Sequence, residues 1–277
     1  MNIFKWTPYV IILVGLACGD EDDSVTPPPA QFELVFEDEF DGPAMTSPDS
    51  STWDFDVGGG GFGNNQLEFN TPRTANARVN GEGILEIVAR QEPFGNNGFT
   101  SARMLTNDLL EVQYGRIEAR IKLPTGRGIW PAFWMLGADF PETDWPFVGE
   151  IDIMEYCGQE PQIVHGSLHG PGFSGGNALS QIFRKEDDLP AFNEDFHVFA
   201  VEWDPARIAW YVDDVIYQVL RASEVQNRGD WVFDGPFFLI LNVAVGGTFC
   251  QNPDESTVFP QTMEVDYVRV FRRTSGN

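Results

Sequence analysis

From residue 32 to 273 the chain alternates apolar and polar positions in short runs. In 116–123, Arg116, Glu118, Arg120 and Lys122 lie between Ile117, Ala119, Ile121 and Leu123. A period of two puts one set of side chains on each face of a strand. Runs read as strands cover 83–90, 114–124, 196–204, 207–220, 236–247 and 263–273. The stretch 212–214, Val-Asp-Asp, breaks one of these runs and predicts a hairpin turn. Only 187–193 and 222–227 read as helical, as short turns. No internal repeat and no second linker interrupt the pattern. The expectation is an all-β fold: one sandwich with long loops, curved so that a concave face stays open for an extended ligand.

Composition supports this reading. The 277 residues are 42% hydrophobic, enough for a sizeable core, and 28 Gly and 19 Pro supply many turns. Charge narrows the partners. With 17 Lys and Arg against 42 Asp and Glu, the net charge is −25. Phosphate contacts need the opposite sign, which excludes nucleic acid as a partner. A neutral ligand is compatible with it.

The N-terminus departs from the alternation. Residues 1–17 carry one lysine and an apolar run, too short to span a membrane and suited to a signal peptide. Ala17 before Cys18 resembles a lipoprotein cleavage box, with Gly15 where that box usually carries leucine. The expectation is lipidation at Cys18, a tether over 18–31 with an acidic then proline-rich sequence, and a folded domain over 32–273. The acidic "GDEDDS" resembles the surface-export signal of some Gram-negative lipoproteins, so the predicted location is the outer membrane or cell surface. Export makes a disulfide between Cys157 and Cys250 possible, and their spacing leaves pairing open.

One run carries the chemistry. "GEIDIMEY", residues 149–156, holds Glu150, Asp152 and Glu155 among Ile151, Ile153 and Met154. Buried without partners, three acids would be costly, so they are expected to line a wet cleft. On a regular strand Glu150 and Asp152 share a face and Glu155 points away. One extra residue, a β-bulge at Ile153 or Met154, would bring all three onto one face. Two carboxyl groups about 5–5.5 Å apart are what retaining glycoside hydrolysis needs, one as nucleophile and one as acid/base. Mutual repulsion would raise one pKa into the working range of a general acid. The spacing alone does not say which glutamate takes which role.

"GEIDIMEY" resembles the signature of glycoside hydrolase family 16, in the form with the extra residue. The resemblance continues through "YGRIEARIKLPTGRGIWPAFWMLG", "HGSLHGPGFSGG", "FHVFAVEWDP", "WVFDGPFFLILNVAVGG" and "FPQTMEVDYVRVF". It is closest in kind to the laminarinase-like branch, endo-1,3-β-glucanases on a β-jelly roll of two curved antiparallel sheets. It implies Glu150 as nucleophile, Asp152 as its helper and Glu155 as acid/base. It implies Trp130 and Trp134 on the cleft floor, where an indole stacks on the apolar face of a sugar. Trp145 is a further platform, His169 is placed near the acid/base, and Asn65 and Arg103 match polar substrate contacts. No cofactor is implied for catalysis. A structural calcium is, held by Glu37, the carbonyl of Gly83 and Asp266, far from the cleft. The implied partner is a β-glucan, cut by a monomer. Mixed-linkage glucan or agar is the alternative substrate, and a non-catalytic glycan-binding jelly roll the alternative class. Cys157, Cys250 and Gln66 depart from the family pattern near the cleft.

Overall fold

The computed structural model describes residues 31–186 and 188–274. The signal, Cys18 and nearly all of the tether lie outside the described residues. Two β-sheets pack face to face. The inner sheet runs, edge to edge, Leu179–Arg184, Ile163–His169, Glu150–Glu155, Ile129–Gly137, Phe237–Val245, Arg103–Leu105 and Asp54–Phe55. The outer sheet runs Val215–Arg221, Arg207–Val212, His197–Asp204, Gly115–Lys122, Gln261–Thr274, Leu85–Phe94, Asn97–Ser101 and Glu68–Asn70. Pairing is antiparallel, except that Glu68–Asn70 lies parallel to Asn97–Ser101. This is the sandwich that the alternation predicts.

The expected strands form, with boundaries moved by a few residues. The run at 207–220 folds as a hairpin, with Asp213 at φ 48° and Asp214 at φ 64°. Two left-handed residues in a two-residue turn match the right-handed twist of the flanking strands. Among the described residues, helix is confined to Ala222–Val225 and one 3-10 turn, Gly175–Asn177, which the sequence reading did not predict.

The core lies between the sheets. Ile117, Ala119 and Ile121 of the outer sheet and Phe133, Met135, Ile151, Leu239 and Leu241 of the inner one are fully buried. Every residue of Phe237–Val245 is buried, although its side chains alternate faces. One face meets the core and the other lies under the rings that floor the cleft. Cys157 and Cys250 are joined in a disulfide that closes a separation of 93 residues. It ties the end of the acid strand to the loop after Phe237–Val245. Such a bridge narrows the unfolded ensemble and stabilises by about 2–5 kcal/mol.

The residues expected to hold calcium fall on or next to neighbouring strands, with Val265 opposite Leu85 and Val268 opposite Asp38. The carboxylate of Asp266 is paired with Arg120 at 2.6 Å. Glu37 lies opposite Arg269 in the strand register. The backbone at Gly83 instead comes up against Glu39 and Asp41, whose oxygens would lie 3.5 and 3.7 Å from an added Cβ. Arg120 would compete with a calcium ion for the Asp266 carboxylate.

Candidate active site

The acid strand sits third in the inner sheet, and its register carries the expected irregularity. Against Ile129–Gly137, Trp134 opposes Asp152 and Phe133 opposes Met154, leaving Ile153 without an opposite residue. Against Ile163–His169, Asp152 opposes Ser167 and Glu155 opposes His165. Both ladders therefore slip by one between Asp152 and Glu155. The consequence is visible in burial: consecutive Ile153 and Met154 both join the core, at 1% and 0% exposure. Glu150, Asp152 and Glu155 then share the concave face, as a bulge requires.

That face is the floor of a cleft of about 740 Å³. The three acids, Trp130, Trp134 and Arg103 all line it, with Trp145 and His169 at one side. Trp130 lies two positions beyond Ala132, itself opposite Glu155, so the alternation that sets the acids also sets the tryptophans. The indole N–H of Trp130 donates to Glu155 Oε1 at 3.1 Å. That of Trp134 donates to Asn242 Oδ1 at 2.8 Å, which fixes its ring beneath the cleft. Arg103 lies over the Trp134 ring at 4.7 Å and the Phe62 ring at 5.0 Å, and pairs with Asp56 at 3.3 Å. Trp145 is 43% exposed on the rim, and its N–H donates to Glu150 Oε2 at 3.0 Å.

His169 lies at the other end of the row from the one the resemblance implies. It is opposite Glu150 in register, with Nε2 3.6 Å from Glu150 Oε1 and 3.0 Å from Asp152 Oδ2. The shorter approach is a close polar contact rather than an aligned hydrogen bond, since Asp152 Oδ2 has no partner that meets bonding geometry. Asn65 is also misplaced by the sequence reading. It is exposed, at φ 56°, while its neighbours Asn64 and Gln66 line the cleft. A left-handed residue turns the chain there, and the side chain leaves the alternation.

Glu150, Asp152 and His169 are also the one group among the described residues whose acid and imidazole atoms gather closely enough for a metal, within 4.8 Å. The tautomer of the histidine argues against a ligand role. The Gly175 N–H donates to His169 Nδ1 at 3.1 Å. A neutral imidazole whose Nδ1 accepts carries its proton on Nε2. The atom facing the carboxylates is therefore a donor, which suits a carboxylate and not a cation.

Burial and mutual repulsion raise all three carboxyls. Glu150 is pushed up to about 8 by desolvation first and by Asp152 second, opposed by His169, Arg103 and the Trp145 hydrogen bond. Its side chain stays 17% accessible, so cleft water reaches it in part. Asp152 is raised by its burial. Glu155 is raised well above the carboxylate range by burial and by both acid neighbours, and no arginine opposes this. Of the two glutamates, Glu150 alone has an arginine that favours its charged form, so Glu150 is the easier to ionise and Glu155 the readier to keep its proton.

Several cleft residues escaped the sequence reading. Ser167 alternates with His165 and His169 on its strand, and Asn242 is the one polar residue in the apolar run 237–245, so the sequence held a signal for both. Phe249 packs on Trp130 with ring centroids 5.3 Å apart and lies next to Cys250, with no periodic signal. Glu68, which does not line the cleft, is 1% exposed, accepts the Val245 N–H at 2.8 Å, and has a carboxyl pushed up to about 7 by burial. A strand of three residues gives its buried glutamate no periodic cue.

Comparison with known proteins agrees with this geometry. The family model for glycosyl hydrolases family 16 matches residues 64–269. A β-glucanase of Rhodothermus marinus is 43% identical over 270 residues, covering 94% of this chain and 92% of its own. A glucan endo-1,3-β-glucosidase of Cryptopygus antarcticus is 39% identical, covering 85% and 90%. The solved catalytic domain of an endo-1,3-β-glucanase (laminarinase) from Thermotoga petrophila superposes with a TM-score of 0.85 at 45% identity, covering 89% of this chain and 100% of its own. With more than half of its length matched by the family model, and with relatives this similar over nearly all of it, this chain belongs to glycosyl hydrolases family 16.

Proposed function

We propose that the protein is a retaining endo-glycosidase that cleaves β-1,3-glucosidic bonds in laminarin-type glucans. The observation that carries this reading is the bulge that gathers Glu150, Asp152 and Glu155 on one cleft face. The names of the similar proteins support the linkage. Glu150, beside Arg103, is the carboxylate easier to ionise and attacks the anomeric carbon. Glu155 keeps its proton more readily and gives it to the departing glycosidic oxygen. The C–O bond breaks as the Glu150 ester forms. Glu155, now ionised, takes a proton from water, and that water displaces Glu150. Two inversions return the β-configuration. Asp152, between them, and the Nε2–H of His169 hold the Glu150 carboxylate in its attacking orientation.

Trp130 and Trp134 suit stacking on sugar rings, and the donor fork of Arg103 suits sugar hydroxyls. Export and a lipid tether at Cys18 are part of the same proposal, supported by residues 1–31 alone. A non-catalytic glycan trap would keep the tryptophans and gain nothing from three crowded acids.

Reducing-end release from laminarin, lichenan and agarose tests the activity. Wild type is expected to prefer laminarin, and Glu150→Gln to abolish release. Silence of the wild type on all three polysaccharides would overturn the enzyme reading. A preference for lichenan or agarose would move the substrate. Mass spectrometry of the native mature N-terminus is expected to find acylated Cys18, and an unmodified start elsewhere would remove the tether.

A further inference from the structure

The bulge that brings Glu155 into the row has a partner in the opposite sheet. Trp210 lies in Arg207–Val212 of the outer sheet and is fully buried. Its indole N–H crosses the core and donates to the main-chain carbonyl of Asp152 at 2.8 Å. Asp152 is the last residue before both ladders slip. A bulge takes backbone groups out of regular pairing, and a carbonyl buried at such a point needs a donor from elsewhere.

Room for this contact is made by one residue. Gly166 lies between His165 and Ser167 on the next strand and faces the core. A Cβ there would lie 2.6 Å from Trp210 Cδ1, 3.0 Å from Trp210 Nε1 and 2.3 Å from the Tyr217 hydroxyl. Distances this short force the indole to move. Any larger residue at 166 would push it off the Asp152 carbonyl.

The competing arrangement is a regular strand. Without the extra residue Glu155 turns from the cleft toward the core, and Met154 turns from the core toward the cleft. A regular strand would bury Glu155 among the apolar side chains of the core, so burial already disfavours it. That cost calls for an extra residue but does not say at which peptide the ladders slip. A hydrogen bond to one particular carbonyl does specify it, because leaving a buried N–H or C=O unpaired is costly.

We propose that Trp210 and Gly166 are positioning residues, acting across the core to fix the bulge and so to set Glu155 against Glu150. The proposal rests on the reading of those two glutamates as the reacting pair. It extends the working parts of the site into the second sheet, to residues that touch no substrate.

The test uses Trp210→Phe, which removes the donor and keeps a buried ring, and Gly166→Ala, which crowds the indole without removing it. Misplacing a reacting group by about 1 Å costs on the order of 100-fold in rate. The expected result is a kcat on laminarin lowered by about 10–100-fold in both variants, with KM within about 2-fold of wild type. The alkaline limb of the rate profile is expected to move. A merely packing role would lower the melting temperature and leave kcat and that limb in place for the folded protein. Such a result in either variant overturns the proposal. The titration of Glu155, followed by NMR on carboxyl-labelled protein, reads the same contact without turnover. It is expected to shift in both variants, and a wild-type Glu155 titration in folded Trp210→Phe also overturns the proposal. Should wild type cleave no β-glucan, the proposed function fails while the NMR measurement still decides the role of Trp210.

Discussion

The two ends of the acid strand carry the same residue in opposite surroundings. Glu150 meets the exposed rim: Trp145 donates to it, His169 offers Nε2–H, and Arg103 lies within electrostatic reach. Glu155 meets a packed wall: Trp130 donates to it, and behind Trp130 stand the disulfide and Phe249. Each end supplies one indole N–H, so the hydrogen bonds do not distinguish them. The charges do. A cation lowers a carboxylate pKa and an anion raises it, and burial amplifies both effects. One glutamate is thereby prepared to carry charge and the other to carry a proton, with only a bulge and a few side chains to separate them.

The sharpest way to break that comparison is to neutralise each end in turn. Glu150→Gln is expected to lose about 10⁴-fold or more in kcat, since no nucleophile remains. Glu155→Gln is expected to lose about 10²–10⁴-fold on laminarin, the usual worth of a general acid. On an aryl glycoside with a good leaving group it should lose far less in the first step, because that oxygen needs no proton. Equal losses for both variants on both substrates would erase the distinction between the ends.

A gentler pair removes only the indole donors. An N–H bond favours the ionised carboxylate, so its loss raises the pKa of the acid it served. Trp145→Phe should therefore move the acid limb of kcat/KM to higher pH, and Trp130→Phe should move the alkaline limb the same way. A shift of about one unit corresponds to 1.36 kcal/mol of lost preference for the charged form. Opposite assignment of the limbs would exchange the roles of Glu150 and Glu155. For the wild type, the acid limb is expected well above the ordinary carboxylate range, because Glu150 must ionise and is raised to about 8.

The smallest effect is on stability. The pKa of Glu150 is higher folded than unfolded, from 4.5 to about 8. Between those values the unfolded chain has released a proton that the folded one retains. Stability therefore falls as pH rises through that window. Gln at 150 does not titrate, so Glu150→Gln should melt at a higher temperature than wild type, by a margin that grows from pH 5 to pH 8. A margin that shrinks with rising pH would contradict the upward shift.

Much of this was legible without coordinates. Alternation from 32 to 273 gave the strands, because half-buried sheets expose their period directly. The mismatch between Glu150 and Glu155 gave the bulge, because a period of two leaves no other way to place both acids on one face. Trp130 and Trp134 share a strand face by their spacing of four, and the family resemblance put that face on the cleft floor. Asn65 was lost because a left-handed turn breaks parity. Phe249 was lost because a loop carries none, and Glu68 because a three-residue strand is too short to show one. His169 was located on the correct strand and assigned to the wrong end, since register between strands is not written in either one.

By itself, then, the sequence determined the class of fold, the strand that carries the acids and the need for an extra residue within it. These are one-dimensional facts: periods, parities and a count. The tertiary structure alone decided which glutamate faces Arg103, which proton His169 presents, and that Cys157 meets Cys250. It also decided that a tryptophan from the far sheet holds the bulge. Each depends on which segments, distant along the chain, come within a few ångströms. Electrostatic and hydrogen-bond energies fall off over that distance and have no counterpart in sequence separation.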